Sequence, residues 1–150
     1  YGVATANIAK DADRVVNGGT KRETIACFVA KDDAGADLGY CYYTSGANSK
    51  DGSIELLVYI DKEGVIKDIA VYEQGESAGY FNKVEKANKD KYVGADLDEV
   101  TFFMNNSKSE FKEGTTEIAA KSGATYTSRG YHNAICAAVY SYQNYNKEVA

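Results

Sequence analysis

The chain has 150 residues, of which 17 are basic and 22 acidic, for a formal charge of −5 at pH 7. Apolar residues make up 44% and charged ones 26%, a globular rather than a disordered balance. The acidic excess argues against a nucleic-acid partner, and the longest apolar runs, residues 25–30 and 134–140, fall far short of the roughly 20 residues that span a bilayer.

The chain begins at Tyr1 rather than Met, as an excised or processed piece would. Residues 3–16 carry a loose helical stripe of Val3, Ile8, Ala12, Val15 and Val16, which predicts an N-terminal helix within residues 1–19 that Gly18-Gly19 stops. The cut start implies that this helix continues from an upstream segment. Residues 24–30 are rich in strand formers, residues 31–37 are turn-like, and residues 38–44 return as a second strand. A turn centred on Ala34 sets Cys27 opposite Cys41. Directly paired strand residues hold their Cβ atoms about 4.5–5.5 Å apart, against about 3.8 Å in a disulfide, so two half-buried thiols are expected. Cys136 is the third cysteine, His132 is the only histidine, and no Cys-x-x-Cys occurs. That is too sparse for a zinc or iron–sulfur site, so no metal is expected.

Residues 53–61 and 65–73 form the clearest hairpin, joined by Lys62-Glu63-Gly64. Ile54, Leu56, Val58 and Ile60 alternate to one face, and Val65, Ile69 and Val71 belong to the facing strand. Residues 74–81 read as an irregular segment with Gly75 and Gly79, residues 82–92 as a helix ended by Gly94, and residues 116–120 as a short strand. Between 96 and 111 the apolar residues Leu97, Val100, Phe102 and Phe103 show no clean period. From about residue 127 to 147 a strong helix is predicted, with Tyr131, Ala134, Ile135, Ala138, Val139 and Tyr142 on one face. The fold class is α+β: an antiparallel sheet built of hairpins with packed helices, the longest at the C-terminus, in a single domain over residues 1–150.

No general acid–base or nucleophilic constellation stands out, so no catalytic residue is expected. Asp32-Asp33, Asp96, Asp98 and Glu99 read as solvated loop charges. His132 reads as a solvent-facing helix residue. The chemically suggestive segment is Ser122-Gly123-Ala124-Thr125-Tyr126-Thr127-Ser128. It delivers small residues and hydroxyls to a helix N-terminus, where unpaired N–H groups favour a phosphate. On spacing alone, plain N-capping by Thr127 or Ser128, with a glycine turn before it, is the favoured account.

This segment resembles the flavinylation motif of the FMN-binding domain family. That family includes the G subunit of the Rnf electron-transport complex and the C subunit of the sodium-pumping NADH:quinone reductase. Gly39-Tyr40, Asp51-Gly52-Ser53-Ile54, residues 58–61 with Gly64-Val65-Ile66, and the glycine loop Glu73-Gln74-Gly75-Glu76-Ser77-Ala78-Gly79-Tyr80 follow in the family's order. The resemblance spans about residues 38–140.

It implies that Thr125 carries FMN through a phosphoester bond, made by a magnesium-dependent flavin transferase. It implies further that Ser122, Gly123, Ala124, Tyr126 and Thr127 line the phosphate and ribityl chain. Glu76, Ser77, Ala78, Gly79 and Tyr80 would then form the wall near the isoalloxazine ring, with Tyr80, Tyr126 and Tyr131 as stacking candidates. Two departures stand out. The family places an aspartate where this chain has Ala119, and its glycine loop reads Thr-Pro at Ser77-Ala78 and glycine at Phe81. The function implied is an extracytoplasmic, membrane-associated electron-transfer domain in an Rnf-like ion-translocating oxidoreductase, with the other subunits of that redox complex as partners. The alternatives are a free-standing secreted or lipid-anchored flavoprotein, and a flavin-free surface module that kept the fold.

Overall fold

The alternation Ile54, Leu56, Val58, Ile60 builds the strand on which the rest of the core assembles, and all four side chains are buried. The computed structural model describes residues 4–18, 21–49, 52–75, 78–99, 102–104, 116–121 and 123–149. Five strands form one antiparallel sheet in chain order: β1 (Ile8–Lys10), β2 (Arg22–Lys31), β3 (Asp37–Ser49), β4 (Gly52–Asp61) and β5 (Ile66–Gln74). Helix α1 (Ala78–Tyr92) follows, then a small parallel pair, β6 (Phe102–Phe103) and β7 (Thr116–Glu117), and the long helix α2 (Thr125–Val149). The architecture is α+β, as expected.

Both central hairpins turn on the same chemistry. Asp32 accepts the backbone N–H groups of Ala34 and Ala36 at 2.9 Å, and Asp61 accepts those of Glu63 and Val65 at 3.0 and 2.9 Å. Gly35 and Gly64 supply the positive φ (86° and 87°) that each turn requires. Asp32 is therefore a turn-forming residue rather than a free solvated charge.

One sheet face is apolar: Cys27, Val29, Tyr40, Tyr42, Ile54, Leu56, Val58, Ile60, Ile66 and Ile69 are buried there against α2. Tyr131, Ala134, Ile135, Ala138, Val139 and Tyr142 supply the helix side, as the helical stripe predicts. In the β4–β5 hairpin, two register shifts interrupt the alternation, one beside Tyr72 and one beside Lys67. Ile66 takes the buried position that strict alternation assigns to Val65, and Val71 is left partly exposed.

Two expectations are corrected. The N-terminal helix over residues 3–16 does not form in the described part. Two 3-10 turns, Thr5–Asn7 and Ala12–Arg14, flank β1, whose Ile8 pairs with Ala30 of β2. The free edge of β2 offers these residues a ladder, and five scattered apolar positions are too weak an amphipathic face to compete with it. Asp11 N–H extends the ladder to Cys27 C=O at 2.9 Å. Arg14 then anchors the segment, 4.3 Å from the Tyr40 ring centre and 4.4 Å from that of Tyr145, paired with Asp11 and Asp37. Gly18 is not a helix stop but a crossing point: a Cβ there would fall 2.3 Å from the Tyr140 ring.

The second correction concerns the cysteines. Lys31 pairs with Asp37, as a turn centred on Ala34 requires, but a register shift at Leu38 moves the pairs from Ala30–Gly39 to Ala26–Tyr43 by one residue, until a second shift at Ile25 restores the first register. Cys27 therefore faces Tyr42, and Cys41 faces Phe28. The two cysteines lie on opposite faces of the sheet, and all three cysteines are free thiols.

Candidate functional site

The serine–glycine–alanine–threonine segment turns directly into α2. Gly123 has φ +82° and open space where a Cβ would stand, and Ala124 N–H bonds Lys121 C=O at 2.9 Å to close the turn. The helix starts at Thr125, two residues earlier than its apolar stripe suggests. Thr127 and Ser128 are thus inside the first turn, buried, and do not cap it. Ser128 has a different task. Its hydroxyl accepts Lys121 N–H at 2.9 Å and donates to Ala124 C=O at 2.8 Å, lashing the turn to the helix.

This fastening fixes Thr125 at the mouth of α2, with its side chain half-buried. Ala124 is buried beneath it, Gly123 is exposed, and Tyr126 stands half out of the protein at 50% exposure. This is the N-terminal end of α2, where the helix dipole places partial positive charge. A hydroxyl in such a place is suited to bearing an anionic group.

Sequence reasoning missed Arg129. It lies four residues after Thr125, hence on the same face of α2 one turn further in. It is 9% exposed, its Nε has no hydrogen-bond partner, and its Cζ lies 5.1 Å from the Tyr126 ring centre. The i, i+4 spacing to Thr125 was the available signal. A phosphate at Thr125 fits this donor set: a half-buried hydroxyl, helix N–H groups, and a buried cation with a free donor.

The second motif is partly described. Glu76, Ser77 and Ser122 lie outside the described residues. Ala78, Gly79 and Tyr80 form the first turn of α1, so this helix begins four residues before the position its pattern predicts. Gly79 is exposed with open space around it, and Tyr80 is half-buried against the core. The neighbouring Phe81 is buried edge-on to Tyr131 of α2, with ring centres 6.0 Å apart. Tyr131 lies six residues beyond Thr125, about 9 Å along the helix. Phe81, where the resembling family has glycine, thus fills the α1–α2 contact. Tyr131 is fully buried between Phe81 and Tyr92, which makes it core rather than a stacking surface; Tyr126 is the exposed ring near Thr125.

His132 is not solvent-facing. It is 1% exposed, with Nδ1 2.6 Å from the Tyr92 hydroxyl and Nε2 3.4 Å from Cys136 Sγ. Burial, with a smaller contribution from Arg22, lowers its pKa to about 3, so the ring is neutral. Ala119, where the resembling family has aspartate, is exposed, and its carbonyl accepts Asn88 Nδ2 at 3.3 Å.

A model of the FMN-binding domain family matches residues 50–140, which include both motifs. The chain belongs to the FMN-binding domain family. Within this FMN-binding domain, the match begins just before β4 and ends in the middle of α2, so β1, β2 and β3 precede it. The chain is also similar to the G subunit of the Na(+)-translocating ferredoxin:NAD(+) oxidoreductase complex of Acetobacterium woodii, at 28% identity over 142 residues. The aligned part is 93% of this chain and 67% of that relative.

Proposed function

We propose that residues 1–150 act as a single electron-transfer domain that carries FMN covalently, by a phosphoester bond to Thr125. The observation that carries this reading is the placement of Thr125: half-buried, first in α2, after an open positive-φ glycine, within the segment matched to the FMN-binding domain family. When bound, FMN supplies one- and two-electron redox chemistry that no side chain offers. The chain's own residues position it. The Thr125 oxygen takes the phosphate, the N–H groups of the first turn of α2 face it, and Ser128 holds the turn in place. Gly123, Ala124, Tyr126 and Thr127 line that end with Ser122, while Ala78, Gly79 and Tyr80 at the start of α1, with Glu76 and Ser77, wall the ring. Transfer of the FMN phosphoryl group from FAD to the Thr125 hydroxyl breaks the pyrophosphate bond, releases AMP and leaves a diester of one negative charge, which suits a helix N-terminus.

Similarity to a component of a sodium-translocating complex supports the wider assignment: a subunit of an Rnf-like, ion-translocating oxidoreductase, loaded by a flavin transferase on the extracytoplasmic side of a membrane. The test is intact mass. The chain co-produced with a flavin transferase is expected to gain one FMN less one water, and Thr125→Ala to gain nothing. No gain, with the transferase active on a related domain, overturns the covalent reading.

A further inference from the structure

Arg129 is a cation in an unusual place. It stands in the second turn of α2, and its guanidinium reaches back to within 5.1 Å of the Tyr126 ring centre, at the end of the helix where the dipole disfavours positive charge. It is 9% exposed, and Nε is buried without a hydrogen-bond partner. Among the described residues, no carboxylate forms an ion pair with it. Contact with the Tyr126 face stabilises the charge but leaves the in-plane Nε–H donor unused. A buried guanidinium with a free donor needs an anion, and the planar fork of arginine suits a phosphate.

The position of Thr125 supplies the direction. Residues four apart on a helix share a face, and their side chains lean toward the N-terminus. The Arg129 head is therefore carried toward the Thr125 hydroxyl. We infer that Arg129 is the charge partner of the flavin phosphate held at Thr125, and so selects FMN over flavins that lack the phosphate. This rests on the reading of Thr125 as the cofactor site. It assigns the anion to a side chain as well as to the helix end.

The test titrates the unflavinylated chain with FMN and, separately, with riboflavin, following quenching of flavin fluorescence. The chain is expected to bind FMN at least tenfold more tightly than riboflavin. Arg129→Gln is expected to lose that preference while keeping riboflavin affinity within twofold, and Arg129→Lys to fall between. Failure of the phosphoester reading registers in the intact mass of the flavin-transferase-treated chain, and failure of this inference in the affinity ratio of Arg129→Gln. An unchanged ratio in Arg129→Gln, or no preference in the native sequence, overturns the inference. Should Arg129→Gln not fold, the Arg129 Nε–H resonance of the native chain decides instead: it is expected to shift on addition of FMN and of inorganic phosphate but not riboflavin, and no shift overturns the inference.

Discussion

Gly46 of β3 lies so close to Gly130 of α2 that a Cβ added to Gly46 would fall 2.0 Å from the Gly130 carbonyl oxygen and 2.4 Å from the Ala134 nitrogen. Both neighbours are backbone, so neither swings aside. The long helix therefore rests directly on the third strand at this point, five residues beyond Thr125. Gly46→Ala is expected to destabilise the fold by about 3 kcal/mol or more, the upper end for overpacking, because the strand and helix must separate. Gly35→Ala is the contrast: its φ is +86°, but nothing lies near its missing Cβ, so about 1 kcal/mol of backbone strain is expected. Urea unfolding of both variants checks this, and equal costs would remove the close approach as the cause.

The buried His132 makes stability depend on pH. Its folded pKa, about 3, is below the unfolded value near 6.5. Between these values the unfolded chain binds more protons, so this contribution is fully present above pH 6.5 and is lost as pH falls toward 3. From pH 7.5 to pH 5 the loss expected from this group is about 2 kcal/mol. His132→Gln, which cannot titrate, is expected to flatten this part of the profile while lowering stability at neutral pH through the disturbed Tyr92 contact. Urea midpoints at several pH values test it; parallel profiles for the two proteins would assign the dependence elsewhere.

The sheet register makes a chemical forecast for the thiols. Cys27 and Cys41 occupy opposite faces, so the non-reduced protein is expected to show the mass of three free thiols. Burial pushes Cys27 up to about 12 and Cys136 to about 11, and it also raises Cys41. All three are poor thiolates at neutral pH. A maleimide is expected to label Cys41, the half-buried one, slowly, and the other two only after unfolding. Two thiols lost together without a reductant would contradict the register.

Periodic burial was readable before the structure: the stripe on α2 and the alternation on β4 both state which side faces the core. What could not be read were effects a single chain segment does not contain. The register shift at Leu38 displaces Cys27 from Cys41 by one residue, and it arises only when two strands pair. The N-terminal segment took the free edge of β2 because that edge exists only in the assembled sheet. His132 and Arg129 sit on faces of α2 that ordinary amphipathic reasoning gives to water, yet the helix is buried nearly all round between residues 127 and 139. At the site, the motif located Thr125 by type and order, whereas the role of Ser128 and the unpaired Arg129 donor emerged only from geometry.

Ser128 ties the turn to the helix it feeds. Its hydroxyl joins Lys121 N–H to Ala124 C=O, one residue before Thr125, and the side chain is fully buried. Ser128→Ala deletes both bonds and leaves a partly buried N–H without its acceptor, at an expected cost of about 1–2 kcal/mol. The chemical consequence should exceed the stability cost. Thr125 would remain, but the turn that presents it would move more freely, so flavin transfer onto the chain is expected to slow by about tenfold, as positioning losses of this kind do. The check is a time course of mass gain with a flavin transferase, at a temperature where urea curves show the variant fully folded. Unchanged transfer in a folded Ser128→Ala would mean that the first turn of α2 alone sets the position of Thr125.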